Sequence, residues 1–291
     1  GGADTQAVYD AVHAAGVTTS IGFNYRHAPA IEFAKHLIAS GRLGRITNFR
    51  GTFFADYSSE PNGAPSWRFK RELAGSGVLG DLMGHLTDLV AYTLGPIADV
   101  TALTTTAHTE RPILQMGSGT HFDVIEGGEL GPVENEDIAS MLVRLSDGAV
   151  ASGVVGTLAA SRVTVGKRAS YNLEVYGTEG SLSWDFERLN ELNLALRGTE
   201  FVGYQRIMAS PEFGDFAKFQ PGSGTSMGFD DLKVVEAKKF VDAYFGGIAR
   251  NSNISDALAA ALVNDAAEAS VAERRWVSVE PVPGTTAALR D

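Results

Sequence analysis

Asp81, His85 and Asp88 lie in one mostly apolar stretch, GVLGDLMGHLTDL, at spacings that could support acid–base chemistry. Residues three and four apart share one face of a helix, so we expect the three side chains on the same side. A carboxylate beside an imidazole raises its basicity and fixes its tautomer, as a general base requires. The spacing indicates His85 as a base, Asp81 as its partner and Asp88 as a solvated or capping residue. A core histidine hydrogen-bonded to an aspartate is the alternative.

The glycines at the start of this stretch, Gly75, Gly77 and Gly80, have the spacing G-x-G-x-x-G. A dinucleotide-binding loop needs an apolar strand directly before it, and the charged segment SWRFKREL stands there instead. We therefore expect these glycines to permit a sharp turn and a close approach of another chain segment. No metal site is expected, because the other histidines show no ligand spacing.

Two aromatic–arginine pairs are further candidates. Tyr25 and Arg26 follow the strand-like segment VTTSIGF, at the kind of rim where open α/β sheets bind ligands. Trp67 and Arg68 follow a loop rich in turn residues, and an indole can serve as a platform for a flat ring. The residues alone leave open whether these four side chains have ordinary surface or core roles.

Composition limits the class of partner. The chain has 291 residues with 24 basic and 35 acidic side chains, a formal charge of −11 that argues against nucleic acid or an anionic membrane surface. A neutral substrate fits better than a phosphate ester. The absence of cysteine excludes disulfides and thiolate chemistry, and the composition fits a cytoplasmic enzyme. No window approaches the roughly 18 apolar residues of a membrane-spanning helix.

The patterning predicts an α+β fold. A helix that Asp4 can cap and Gly16 can end precedes the strand VTTSIGF, and a second helix runs from Pro29 to Gly41. A helix over residues 81–94 is followed by short, turn-separated segments typical of a large mixed or antiparallel sheet of six or more strands. Two further helices are expected over residues 230–247 and 255–273.

These segments together resemble the glucose–fructose oxidoreductase/inositol dehydrogenase (Gfo/Idh/MocA) family. The resemblance extends over essentially the whole chain, and within the family it is nearest to sugar dehydrogenases of the levoglucosan dehydrogenase type. The segments that carry it are GFNYRHAPAIEFAKHLIASGRLGRI, SWRF, AGSGVLGDLMGHLTDL, ENEDIASMLVRLSDGAV, LEVYGTEGSLSWDFERLNEL and AERRWVSV.

The resemblance implies two domains. Residues 1–24 would be the helix–strand remnant of a dinucleotide-binding Rossmann domain, and residues 25–291 a substrate-binding and oligomerisation domain with a large open sheet and flanking helices. The family's glycine-rich loop and its Glu-Lys-Pro segment with a catalytic lysine have no counterpart in these 291 residues. We therefore expect the chain alone to bind NAD weakly or not at all.

The resemblance also implies an activity, the NAD- or NADP-dependent oxidation of a secondary alcohol of a sugar, anhydrosugar or cyclitol. The family's Asp-x-x-x-His pair falls on Asp81 and His85, so His85 would accept the hydroxyl proton while Asp81 holds the sugar and supports His85. The residues expected beside the nicotinamide or the sugar are Tyr25, Arg26, Trp67 and Arg68. A homodimer or homotetramer would form through the open face of the sheet.

Two alternatives of other classes accompany this reading. One is an NAD-dependent glycosidase of the same family, and the other is a non-catalytic module that binds sugar or mediates oligomerisation.

Overall fold

Seven α-helices occur in the part of the chain that the computed structural model describes, which is residues 1–63, 66–113, 123–125, 127–147, 149–200, 203–220, 222–246 and 251–286. They are α1 (Gly2–Ala15), α2 (Pro29–Ala39), α3 (Arg71–Ala74), α4 (Gly84–Thr93), α5 (Phe216–Phe219), α6 (Phe229–Gly246) and α7 (Ile254–Glu273). None of the described helices is long and apolar enough to cross a membrane.

Nine of the strands form one sheet in the order β10-β9-β8-β7-β1-β6-β5-β2-β11. The strands are β1 (Ile46–Phe54), β2 (Ile97–Thr105), β3 (Glu110–Pro112), β4 (Leu130–Pro132), β5 (Ile138–Leu145), β6 (Val155–Ser161), β7 (Ser170–Gly177), β8 (Gly180–Asp185), β9 (Glu191–Leu196), β10 (Gln205–Met208) and β11 (Val277–Ser278). Strand β1 pairs parallel to β6, whereas the other pairs in this sheet are antiparallel. The expected α+β fold with a large mixed sheet is confirmed.

The two faces of this sheet differ in what they contact. Along β5, Ala139, Met141 and Val143 are buried against the helical layer, in which α2, α4 and α7 contact the strands. The alternate residues of β5 point to the other face and are exposed, as a strand with one covered face requires. The helices thus lie against a single face of the sheet.

The N-terminal segment departs from expectation at two points. Helix α1 begins at Gly2, whose N–H donates to the carboxylate of Asp265 at 2.9 Å, so Asp4 lies within the helix. Gly16 ends the helix with φ of 62°, as expected. The strand expected in residues 17–23 is not formed in the described structure, although its apolar and β-branched residues favour one. A strand needs a neighbour to satisfy its backbone groups, and no described strand lies beside this segment.

Glycine at position 156 is required by packing between β6 and β1. A Cβ added there would lie 2.3 Å from the Phe49 ring, which is itself buried. We expect Gly156→Ala to lower the free energy of unfolding by about 1–3 kcal/mol, because overpacking displaces a core side chain. Urea denaturation checks this, with Gly222→Ala as the control because a Cβ at Gly222 meets nothing within 4 Å. A loss below about 0.5 kcal/mol at position 156 would contradict the packing argument.

Candidate active site

A π-helical turn, Leu79–Met83, leads directly into α4 and carries Asp81. The backbone N–H groups of Gly77 and Leu79 donate to Glu136 Oε1 at 2.8 and 2.9 Å, which caps the start of this turn. A Cβ at Gly77 would lie 2.0 Å from the Glu136 carbonyl oxygen, and Gly75 has φ of 75°. The glycines therefore serve a turn and a close approach, as expected.

The same contacts decide whether this loop could hold a dinucleotide. A pyrophosphate needs free backbone N–H groups at a helix N-terminus, but here the Glu136 carboxylate already accepts from Gly77 and Leu79. The short helix α3, not a strand, precedes the loop. The G-x-G-x-x-G segment thus does not fit the phosphates of NAD.

Asp81 is held by two groups from the connection between β1 and α3. Tyr57 donates its hydroxyl to Asp81 Oδ2 at 2.6 Å, and Arg68 Nε lies 3.6 Å from the same oxygen. The Arg68 guanidinium lies over the Trp67 ring, 4.6 Å from its centroid. Trp67, Arg68 and Asp81 therefore form one continuous set of contacts, and the half-exposed indole supports the arginine.

His85 lies one helical turn further on and is partly buried among aromatic rings. Tyr25 and Phe23 contact the imidazole edge-to-face, with ring centroids 5.2 and 5.7 Å away. The Tyr171 hydroxyl donates to the His85 carbonyl oxygen at 2.7 Å, which fixes the helix backbone at this residue. His85 Nδ1 is buried and has no hydrogen-bond partner in the structure described here, so a bound ligand can supply one.

The electrostatics of His85 differ from the expectation. Burial lowers the pKa of the imidazole, and the charge of Asp81 opposes this only in part. Asp81 thus acts in the expected direction, but the net pKa of His85 is lowered because burial outweighs the carboxylate. Because its pKa is lowered, the imidazole is uncharged at neutral pH and able to accept a proton. The pKa of the neighbouring Tyr25 hydroxyl is raised to about 12 by burial and by Asp81.

Arg26 occupies a different environment from the one expected beside a cofactor. Its Nε donates to Asp88 Oδ2 at 2.8 Å, its Nη2 contacts Asp88 Oδ1 and lies 3.2 Å from Asp256 Oδ1, and its Nη1 donates to Thr286 Oγ1 at 2.7 Å. The Arg26 side chain is 3% exposed. Burial disfavours the charge, but the two carboxylates raise the pKa of Arg26 above its ordinary value. Arg26 therefore connects α4, through Asp88, with α7, through Asp256, and with Thr286 near the end of the described chain.

Asp88 is correspondingly neither solvated nor a capping residue, and that expectation is wrong. Its side chain is 4% exposed and accepts from Arg26, which lies 62 residues away in sequence. Burial raises the pKa of Asp88 to about 6 although Arg26 acts in the opposite direction. Asp88 thus belongs to the buried ion pair and not to the set around His85.

A cleft of about 520 Å³ opens beside His85, within the size range of small-molecule sites. Its walls include Gly80 from the π-helical turn, Gly84 from α4 and Asn264 from α7. Asn264 Oδ1, like His85 Nδ1, is buried without a partner among the described residues. Two unpaired polar atoms on one cleft point to a ligand with hydroxyl or amide groups.

A second cavity, of about 370 Å³, lies behind Arg26 between α4, α7 and residues 279–285. Its walls are largely apolar, and its buried charged groups, Arg26, Asp88 and Asp256, are already paired with one another. The cleft beside His85 is therefore the better candidate for chemistry. Within the described residues, no cluster of His, Asp or Glu side chains could hold a metal ion.

The structure thus brings together five of the seven residues singled out by sequence, namely Asp81, His85, Tyr25, Trp67 and Arg68. The other two, Arg26 and Asp88, pair with each other elsewhere. Sequence reasoning missed Tyr57, Glu136 and Asn264. Tyr57 carried one usable signal, since it closes the strand-like segment RITNFRGTFFADY, and the structure ends β1 at Phe54, three residues before it. Glu136 and Asn264 carried none, because an acidic residue in a loop and an amide within a helix are commonplace.

Comparison with known proteins identifies the family. Residues 31–183 match the model of the GFO/IDH/MocA C-terminal domain. The chain is 34% identical over 285 residues to levoglucosan dehydrogenase of Pseudarthrobacter phenanthrenivorans, covering 97% of this chain and 72% of that protein.

Two solved structures support the same assignment. Levoglucosan dehydrogenase in complex with NADH and levoglucosan superposes with a TM-score of 0.86 at 32% identity, over 96% of this chain and 70% of that one. An NAD-binding oxidoreductase from Klebsiella pneumoniae gives a TM-score of 0.85 at 34% identity, over 96% and 71%. On these matches, which agree in sequence and in fold, the chain belongs to the GFO/IDH/MocA family.

Proposed function

We propose that this protein is an NAD(P)-dependent oxidoreductase that oxidises a secondary alcohol of a neutral sugar, anhydrosugar or cyclitol. The observation that carries the proposal is the His85 imidazole, whose Nδ1 is buried and unpartnered in the described structure, on a cleft of about 520 Å³. Family membership supports the reaction class, since the relative named levoglucosan dehydrogenase is solved with both NADH and levoglucosan.

His85 is the proton acceptor in this proposal. A base must be uncharged before it accepts a proton, and burial keeps the imidazole uncharged by lowering its pKa. Asp81 then stabilises the imidazolium that forms, because its charge favours the protonated ring. The edge contact with Tyr25 limits rotation of the ring and keeps it in position.

The cofactor in this proposal is NAD or NADP. When bound, the nicotinamide supplies the hydride acceptor, which is chemistry that no amino-acid side chain offers. The described residues contribute the groups that bind the alcohol and accept its proton. The segment Gly75–Gly80 does not serve as a phosphate-binding loop, because the N–H groups of Gly77 and Leu79 are already bonded to Glu136. Tyr25, Trp67 and Arg68 remain candidates for contact with the nicotinamide or the sugar.

The charge of the cleft favours a neutral substrate. Its lining side chains carry three carboxylates, Asp4, Asp265 and Glu268, against one guanidinium, Arg71. Arg71 is already paired with Glu268 at 3.1 Å. A phosphorylated or acidic sugar would meet an excess of negative charge there, whereas a polyol would meet hydrogen-bonding groups without a charge penalty.

Replacement of His85 by asparagine tests the proposal. In the protein expressed from its natural gene, we expect His85→Asn to lower kcat by at least about 100-fold for the best sugar in a panel that includes levoglucosan and myo-inositol. NADH or NADPH formation is followed by absorbance.

The pH profile of the unmodified protein gives a second test. Its kcat/KM should fall on the acid side with an apparent pKa below the usual imidazole value of about 6.5, because protonation removes the base.

The matched control is His36→Asn, on the exposed side of α2, which should leave turnover unchanged. Retention of more than about a tenth of the activity in His85→Asn would eliminate His85 as the base. Release of free sugar from a glycoside without net formation of reduced cofactor would instead indicate the glycosidase alternative.

We also propose that a second copy of the chain packs on the open face of the sheet. Leu103 of β2, Leu142 of β5 and Val155 of β6 are at least half exposed on that face, at 77%, 51% and 50%. The register places Leu142 opposite Thr101 and Thr157, so these strands form a continuous surface with an apolar centre. A contiguous apolar patch of this kind on an exposed face is typical of a protein–protein contact.

Leu142→Asp tests this interface, since a carboxylate at its centre would be desolvated without a partner. We expect the variant to have the mass of a monomer in size-exclusion chromatography with light scattering, and the unmodified protein that of a dimer or tetramer. Val165→Asp is the control, because Val165 is 81% exposed in a loop outside the sheet. A monomeric unmodified protein, or an unchanged mass for Leu142→Asp, would refute the interface.

A further inference from the structure

Tyr57 contacts the proposed catalytic pair from outside the helix that carries it. It lies three residues beyond the end of β1, and its hydroxyl donates to Asp81 Oδ2 at 2.6 Å. Burial, followed by the charge of Asp81, raises the pKa of this hydroxyl far above its ordinary value. Tyr57 therefore stays protonated and acts as a donor at every physiological pH.

The contact leaves the two oxygens of Asp81 in different situations. Oδ2 faces both the Tyr57 hydroxyl and Arg68 Nε, at 2.6 and 3.6 Å. Asp81 and His85 make no hydrogen bond in the described structure, and they are coupled through charge. A donor on Oδ2 holds the carboxylate in one orientation and disperses part of its charge. The dispersal of charge limits how strongly Asp81 can stabilise a protonated His85.

We infer that Tyr57 is a positioning residue that acts through Asp81 and sets how strongly the Asp81 charge is felt by His85. The inference deepens the proposed function, on which its kinetic readout depends. Without the hydroxyl, Oδ2 would lose its nearest donor and more of the negative charge would act on the imidazole. Protonation of His85 would then be favoured at a higher pH, and less of the base would be available near neutrality.

Other charged groups also act on this pair and have to stay unchanged in a test. Arg68 and Arg162 act on Tyr57, Tyr25 packs against His85, and Tyr171 donates to the His85 carbonyl. Asp88 is neutralised by Arg26 nearby. The ionisable side chains on the cleft wall are Asp4, Arg71, Asp265 and Glu268. Tyr57→Phe removes one oxygen atom and alters none of these charges.

The test is the titration of the His85 ring by NMR in the unmodified protein and in Tyr57→Phe, with His85→Asn used to assign the signal. We expect the ring pKa to rise by about half a unit in Tyr57→Phe, because Asp81 regains charge that the hydrogen bond dispersed. The acid limb of kcat/KM should move upward by the same amount. The ring titration needs no turnover, so it tests the inference even if the protein oxidises none of the sugars tried.

A matched control exists on the open face of the sheet. Tyr176 donates to Glu174 Oε2 at 2.7 Å, which is the same type of tyrosine–carboxylate bond away from the helix that carries His85. Tyr176→Phe should leave the His85 titration unchanged. Thermal unfolding of each variant separates a loss of fold from a change in the site.

A second comparison isolates the route through Asp81. In an Asp81→Asn background, Tyr57→Phe should produce no further shift of the His85 titration, because the charge it modulates is absent. An unchanged ring pKa in the single variant would overturn the inference. An equal shift in both backgrounds would also overturn it, since Tyr57 would then act without Asp81.

Discussion

A single carboxylate fixes the start of the helix that carries the candidate site. Glu136 Oε1 accepts the N–H groups of Gly77 and Leu79, at 2.8 and 2.9 Å, where a helix N-terminus leaves donors unsatisfied and presents the positive end of its dipole. The π-helical turn that follows sets the rotation of Asp81 relative to α4. Because His85 lies in the first turn of α4, the Glu136 contact determines where both side chains point.

The residues on either side of Glu136 hold the rest of the site to the same place. The Asn135 amide donates to the carbonyl oxygens of Arg68 and Ser76, at 2.9 and 3.3 Å. Asp137 accepts from the buried Arg162 at 2.7 Å. Three consecutive residues thus connect the turn that carries Arg68, the start of the helix and the end of β6. The position of Arg68 against Asp81 follows from this anchoring.

Sequence reasoning succeeded where the determining interactions are local. Helix α2 begins at Pro29 and stops before Gly41, which has φ of 72°, because proline and glycine act on their own backbone. The four-residue spacing likewise places Asp81 where its charge acts on His85. The sheet was predictable as a class from its short alternating strands, but the strand order β7-β1-β6 depends on pairing between distant segments.

The failures arise from contacts between residues distant in sequence. From the sequence alone, Arg26 is equally compatible with a ligand contact and with an ion pair. The fold decides between them, because it places Asp88 and Asp256 against the guanidinium. Residues 17–23 have the composition of a strand, yet composition does not supply a neighbouring strand. Tyr57 and Asp81, 24 residues apart, meet only because β1 ends beside the π-helical turn.

The electrostatic state of His85 shows why spacing alone does not determine chemistry. A carboxylate four residues away predicts a more basic imidazole, but the spacing carries no information about how much water surrounds the ring. Burial among Tyr25 and Phe23 removes solvation from the charged form, and this effect exceeds the attraction of Asp81. The opposing influences suit the proposed base, which must be uncharged before the reaction and charged after it. In that proposal burial maintains the first state, Asp81 lowers the energy of the second, and the hydrogen bond from Tyr57 moderates the difference between them.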